Sequence, residues 1–141
     1  MRQHLRGDRG QTIFLAPVGF IIVLLLGGVV LEAGNLHLRQ RQLDNLADSA
    51  ASDAAGGGID TAYFRDTGML RVNEDAATIV VLEAVGFSDL NPVTVALVEP
   101  AGSAGLRVDL QYDHEFIFAR QIFGISQTLE ATGNAELMLS G

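Results

Sequence analysis

Cysteine is absent from the 141 residues, which excludes disulfide staples and thiolate metal sites. The absence permits an oxidising exterior without fixing the compartment. Positive charge is also scarce. Of 17 acidic residues only Asp8 precedes residue 32, so sixteen lie from Glu32 onward, against six of the nine arginines. Phosphate binding needs clustered cations and the counterions they release. No such cluster lies outside the amino-terminal arm, so nucleic acid is not an expected partner. Catalytic groupings are missing too. His4 and His37 have no partner that would complete a nucleophile, base and orienter, and no glycine loop of phosphate-binding type occurs. Neither an enzymatic activity, a cofactor nor a small-molecule substrate is expected. Proline is missing between Val18 and Ala55, so nothing interrupts a helix there.

What the chain does contain is an unbroken apolar and glycine run over residues 13–31, interrupted only by Pro17. At about 1.5 Å per residue the run spans close to the roughly 30 Å hydrocarbon layer of a bilayer and reads as one transmembrane helix. Arg2, Arg6 and Arg9 precede it, whereas Arg39 and Arg41 follow within about 20 residues, a bias that favours a cytoplasmic amino terminus. A cleavable secretory signal is the alternative. Its apolar region should be about 7–15 residues long with a small-x-small site at its end. Leu31, Glu32 and Ala33 do not supply that site, so the segment is expected to be retained.

Helical periodicity continues outward. Leu36, Leu43, Ala47, Ala50 and Ala54 share one face, while Arg41, Asn45, Asp48 and Ser52 lie opposite. Gly56, Gly57 and Gly58 then break the pattern. The predicted helix over residues 13–55 is about 65 Å long, with roughly half projecting beyond a bilayer. Pro17 starts its regular part or kinks its first turn. Residues 59–72 read as irregular. Asn73 is a helix cap, with Glu74 and Asp75 suited to the positive end, and a helix follows until Gly86. The β-branched Ile79, Val80 and Val81 leave a strand as the competitor. Val93, Val95 and Leu97 alternate, as do Leu106, Val108, Leu110 and Tyr112, and the glycine-rich stretch between them makes an antiparallel hairpin. A third strand runs over residues 127–138, with Leu129, Ala131, Gly133, Ala135 and Leu137 on one face.

The expected fold is therefore α+β. A long amino-terminal transmembrane helix continues into an amphipathic helix, followed by a small domain of one helix and an antiparallel sheet of about three strands. The divisions are an arm over 1–12, the membrane helix over 13–31, its extension over 32–55, a linker over 56–72 and the small domain over 73–141.

Three blocks carry a family likeness: Arg9-Gly10-Gln11, the apolar run with Pro17, and the segment from Glu32 through Arg39, Gln40 and Arg41 to Asn45, Asp48, Ala50 and Ala51. Residues 9–55 thereby resemble the TadE/TadG-like pilus-assembly proteins, and the stretches 116–124 and 128–131 fit the later part of that pattern more loosely. The resemblance implies a pilin-like fold and a role as a minor pilin or pseudopilin of the Flp, or tight-adherence, pilus. Its implied partners are the lipid bilayer, other pilin or pseudopilin subunits and pilus-assembly proteins. Its implied location is the cytoplasmic (inner) membrane, single-pass, with the carboxy-terminal domain outside or in the extracellular pilus. The alternative is a membrane-tethered binding or sensing domain that never joins a filament.

Candidate sites follow. Gly10-Gln11 lies where a prepilin peptidase would cut; Leu15 rather than glutamate occupies the fifth position after that bond, so an uncut anchor stays the alternative. Glu32, Leu36, Leu43, Ala47, Ala50 and Ala54 form a candidate assembly face. On it Glu32 either meets a cation of a neighbouring subunit, such as Arg39 or Arg41, or sits hydrated at headgroup level. Phe116, Phe118, Ile122 and Phe123 form an aromatic and apolar cluster that is either core or a docking surface. Asp44, Asp48 and Asp53 on one helix do not close around calcium. Asp113, His114 and Glu115 alternate sides in a strand, so no metal site is expected there.

Overall fold

A single α-helix, α1 (Arg9–Gly57, 49 residues), occupies the first third of the chain in the computed structural model, with Pro17 inside it. The structure describes residues 9–90, 92–102, 104–117, 120 and 124–137, with the backbone alone for residues 9–14. At 1.5 Å per residue α1 is about 73 Å long. It includes Gly56 and Gly57, and its end is marked by the Gly58 N–H donating to the Ala54 carbonyl at 2.8 Å.

Residues 59–72, expected to be irregular, form an ordered loop instead. Ile59 and Val72 pair as an isolated antiparallel bridge, and between them lies α2 (Thr61–Thr67). The Asp60 carboxylate accepts from the Tyr63 N–H, and Gly68 at φ 71° closes the other end, a conformation that favours glycine. The third helix, α3 (Glu74–Gly86), begins as the sequence predicts. The Asn73 side chain accepts from the Ala76 N–H at 3.1 Å, while Glu74 and Asp75 occupy the first turn.

Three strands complete the fold: β1 (Val93–Ala101), β2 (Gly105–Glu115) and β3 (Ser126–Glu136), antiparallel in the order β1-β2-β3. β2 and β3 pair without a shift from Gly105–Glu136 to Glu115–Ser126. β1 carries a bulge between Val95 and Leu97, and the extra residue reverses the alternation. Leu97, expected on the covered face with Val93 and Val95, is therefore exposed, and Val98 turns inward in its place.

One face of the sheet meets the helices. Leu106, Val108 and Leu110 of β2 and Leu129 and Ala131 of β3 are buried beneath α1, while α3 packs on α1 and β1 and contributes Ala77 and Val81. The covered face of α1 reads Glu32, Asn35, Leu36, Arg39, Gln40, Leu43, each half-buried or buried. Ala47, Ala50, Ala51, Ala54 and Ala55 continue it, all buried. Spacings of three and four residues keep this stripe on the sheet for six turns. Small side chains let the two elements approach so closely that backbone meets backbone. A Cβ added at Gly133 would collide with the Ala47 carbonyl and stand 2.7 Å from the Asp48 nitrogen.

The opposite face of the sheet is polar and self-paired. Thr132 donates to Asp109 at 2.7 Å, Gln111 to Glu130 at 3.2 Å and Thr128 to Asp113 at 2.7 Å, each between directly opposed residues. The outer part of α1 shares one core with the sheet and α3.

Candidate functional site

From Leu15 to Leu31 every large apolar side chain of α1 is exposed around the whole circumference, including Phe20, Ile21, Ile22, Leu24, Leu25 and Leu26. A core helix hides one stripe; this segment hides none and leaves its apolar surface to another phase. Among the described residues there is one helix long and apolar enough, by length and composition, to cross a membrane. Gly10 and Gln11 fall within the first turn of α1.

The candidate assembly face divides at the same level. Leu43, Ala47, Ala50 and Ala54 are fully buried in the chain's own core, against the sheet and α3. Glu32 and Leu36 are half-buried at the near end of that packing. The residues of α1 before Glu32 leave their apolar side chains open to a neighbouring helix, whereas beyond it the open side is mostly polar, with Arg41, Asp44, Asn45 and Asp48. Periodicity identified the stripe; what covers it was the chain itself.

Of the aromatic cluster, Phe116 lies in the described structure, whereas Phe118, Ile122 and Phe123 lie outside the described residues. Phe116 is half-buried, and its ring meets that of His114 edge-on with centroids 5.0 Å apart. His114 is itself buried between Phe116 and Tyr112, and its Nε2 has no hydrogen-bond partner among the described residues. Asp113 and Glu115 point outward, so the three polar residues do not converge. Asp44, Asp48 and Asp53 are exposed on the outer side of α1, and Gln40 donates to Asp44 at 2.9 Å. Among the described residues no three His, Asp or Glu side chains are placed to hold a metal ion.

Two features were not read from the sequence. A cleft of about 890 Å³ opens between the loop that holds α2 and the β1–β2 turn, lined by Asp60, Tyr63, Arg71, Glu74 and Gly105 among others. In it the Arg71 guanidinium lies over the Tyr63 ring, 5.4 Å from its centre. The other is the charged centre of the outer sheet face. Hydrogen bonding from Thr132 lowers the Asp109 carboxyl below its ordinary range, against partial burial, and Arg107 assists by donating to both carboxylate oxygens at 3.1 and 3.0 Å. Arg107 is correspondingly raised by its bond to Asp109. Arg107, Asp109 and Gln111 alternate with Leu106, Val108 and Leu110 and so face outward, but only strand register reveals their partners.

Residues 10–57 match the Tad family, the Flp pilus-assembly TadE/G-like proteins. The match covers α1 from its second residue to its last. No curated protein and no solved structure matches the chain. The matched segment supports involvement in Flp pilus assembly, a structural role, and the exposed apolar helix is consistent with a membrane-associated component.

Proposed function

We propose, from the premise that α1 is a TadE/G-like segment, that this protein is a single-pass minor pilin or pseudopilin-like subunit of an Flp pilus that serves surface adhesion. The observation that carries the reading is the family match over a helix whose first half is apolar on every side. In this reading the apolar half lies in the inner membrane, with Arg2, Arg6 and Arg9 on the cytoplasmic side and the folded domain outside. Its partners are the lipid bilayer and other pilus subunits. Lipid around Leu15 to Leu31 is exchanged for neighbouring helices as the subunit joins an assembly, so the free energy of assembly is a difference between two packings of the same surface. No chemistry is required.

The test is deletion of the gene, followed by analysis of filaments sheared from the cells. Loss of pili, or this chain in the sheared fraction, supports the proposal; normal pili lacking the chain refute it. An intact mass ending the question of Gly10-Gln11 belongs to the same experiment, because a cut between them removes residues 1–10. The cleft beside Arg71 and Tyr63 is the observation that favours the second reading, a tethered binding domain outside any filament. Normal pili on deletion would point there.

A further inference from the structure

We propose that the β2–β3 end of the domain, through Phe116, Ile117 and Ile125, is seated in the interfacial layer of the bilayer beside α1. The inference rests on the reading of residues 15–31 as a membrane span, and the geometry supplies the rest. Two contacts fix the height of the sheet along α1. Gln40 donates to the Glu130 carbonyl at 2.9 Å, and Gly133 abuts Ala47. Seven helical residues rise about 10 Å and three strand residues about 10 Å, so α1 and β3 run side by side in the same direction. Continuing back four residues from Glu130 to Ser126 descends about 13 Å, or about nine residues of helix, to the level of Leu31. The floor of the sheet therefore coincides with the end of the apolar run.

Burial along α1 agrees independently. Glu32 is the first residue of the continuous covered stripe, and one turn deeper Gly28 is buried while Gly19, Gly27 and Gly34 are exposed. The described residues between β2 and β3, Phe116, Ile117 and Ile125, consequently lie at headgroup level, and their side chains suit lipid. Ile117 is 65% exposed and Ile125 48%. Phe116 is held to the core through His114, and the Gly124 N–H donates to the Arg120 carbonyl at 2.9 Å. Arg120 forms an ion pair with Glu115, so this end carries no unpaired excess of negative charge from that pair. The other end of the sheet is different in kind: Asp60, Glu74, Asp75 and Glu136 lie toward it. The floor carries exposed apolar side chains beside the Arg120–Glu115 pair and the Thr128-bonded Asp113, while the top gathers four carboxylates about Arg71, so the domain is polar along the membrane normal. A zwitterionic phospholipid surface fits that floor through burial of apolar area rather than through charge.

The native chain has no cysteine, so single-cysteine variants of the full chain report one position each. Leu24→Cys, Ile117→Cys, Ile125→Cys and Glu74→Cys would carry a polarity-sensitive fluorophore in phosphatidylcholine vesicles containing lipids with quencher-labelled chains. Quenching at positions 117 and 125 severalfold above that at position 74, with strong quenching at 24, is the expected result. Quenching at 24 with 117 and 125 equal to 74 overturns the seating and leaves the span intact. An unquenched label at 24 overturns the span itself. Labels at 117 and 125 that stay unquenched in crowded vesicles and become quenched only at one chain per vesicle assign the surface to a second copy and overturn the proposal. In a second background, a label at Gln127→Cys should lose its quenching when Ile117→Glu and Ile125→Glu are combined. Retained quenching there, with strand content unchanged by circular dichroism, also overturns it.

Discussion

Replacement of Gly133 by alanine tests the close approach on which the fold depends. In an ordinary strand the change should help, because glycine costs about 0.5–1 kcal/mol relative to alanine in a regular element. Here the added Cβ collides with the Ala47 carbonyl and lies 2.7 Å from the Asp48 nitrogen, both main-chain groups of a helix that cannot rotate away. Relief requires α1 to lift from β3, which withdraws Leu43, Ala47 and Ala50 together from the sheet. Overpacking of this kind costs about 1–3 kcal/mol, and loss of a helix–sheet contact places it at the upper end. For a folded unit of about 100 residues, 3 kcal/mol lowers the melting temperature by about 12–24 °C. Thermal unfolding of the full chain in a nanodisc, followed by circular dichroism, measures it, with Asn134→Ala on the exposed side as the control. Pairing Gly133→Ala with Ala47→Gly should restore nothing, since the obstacle is backbone. Gly133→Ala within about 0.5 kcal/mol of the parent, or rescue by Ala47→Gly, would refute the reasoning.

Leu43→Ala should destabilise the domain by about 2–5 kcal/mol, because Leu43 is fully buried between α1 and the sheet; the same melts report it. Asn73→Ala removes the acceptor for the Ala76 N–H and should cost about 1 kcal/mol, whereas Asn73→Asp should keep most of it, measured by denaturant unfolding. Thr132→Val removes the main cause of the lowered Asp109 carboxyl. A carboxyl lowered in the folded state stabilises above its ordinary titration range, and that contribution fades as pH falls through its native value. The stability difference between parent and Thr132→Val should therefore be full at neutral pH and shrink on acidification below about pH 4. A pH-independent difference would show that the hydroxyl acts through packing alone.

The elements with a strong period were legible in the sequence. Apolar residues on every side of one long helix, the Asn73 cap with its following acids, and the alternation of Leu106, Val108 and Leu110 each translate directly into backbone geometry. Three things were not. The helix α2 is two turns with no apolar face to reveal it, made by Asp60 and Gly68 at its ends. The bulge that turns Leu97 outward depends on register with Asp109, which a single strand does not encode. The third is the destination of the alanine stripe. Period states which residues share a side, and Gly133 in a strand pattern hints at a close neighbour, yet neither names α1 as that neighbour. The family match, which covers α1 alone, could not supply the pairing either, and the looser likeness over 116–124 and 128–131 carries no register.

The bulge in β1 and the bond from Gln40 to Glu130 also bear on how copies of this chain can meet. A three-stranded sheet has two outer strands whose main-chain groups invite strand addition from a neighbour. On one side the irregularity at Val95 and Leu97, with Pro100 further along, denies a visiting strand a straight ladder. On the other, α1 places the Gln40 amide on a carbonyl of the outermost strand. Crowded side by side, copies of this chain are steered away from runaway cross-strand polymerisation and toward contacts made by helices.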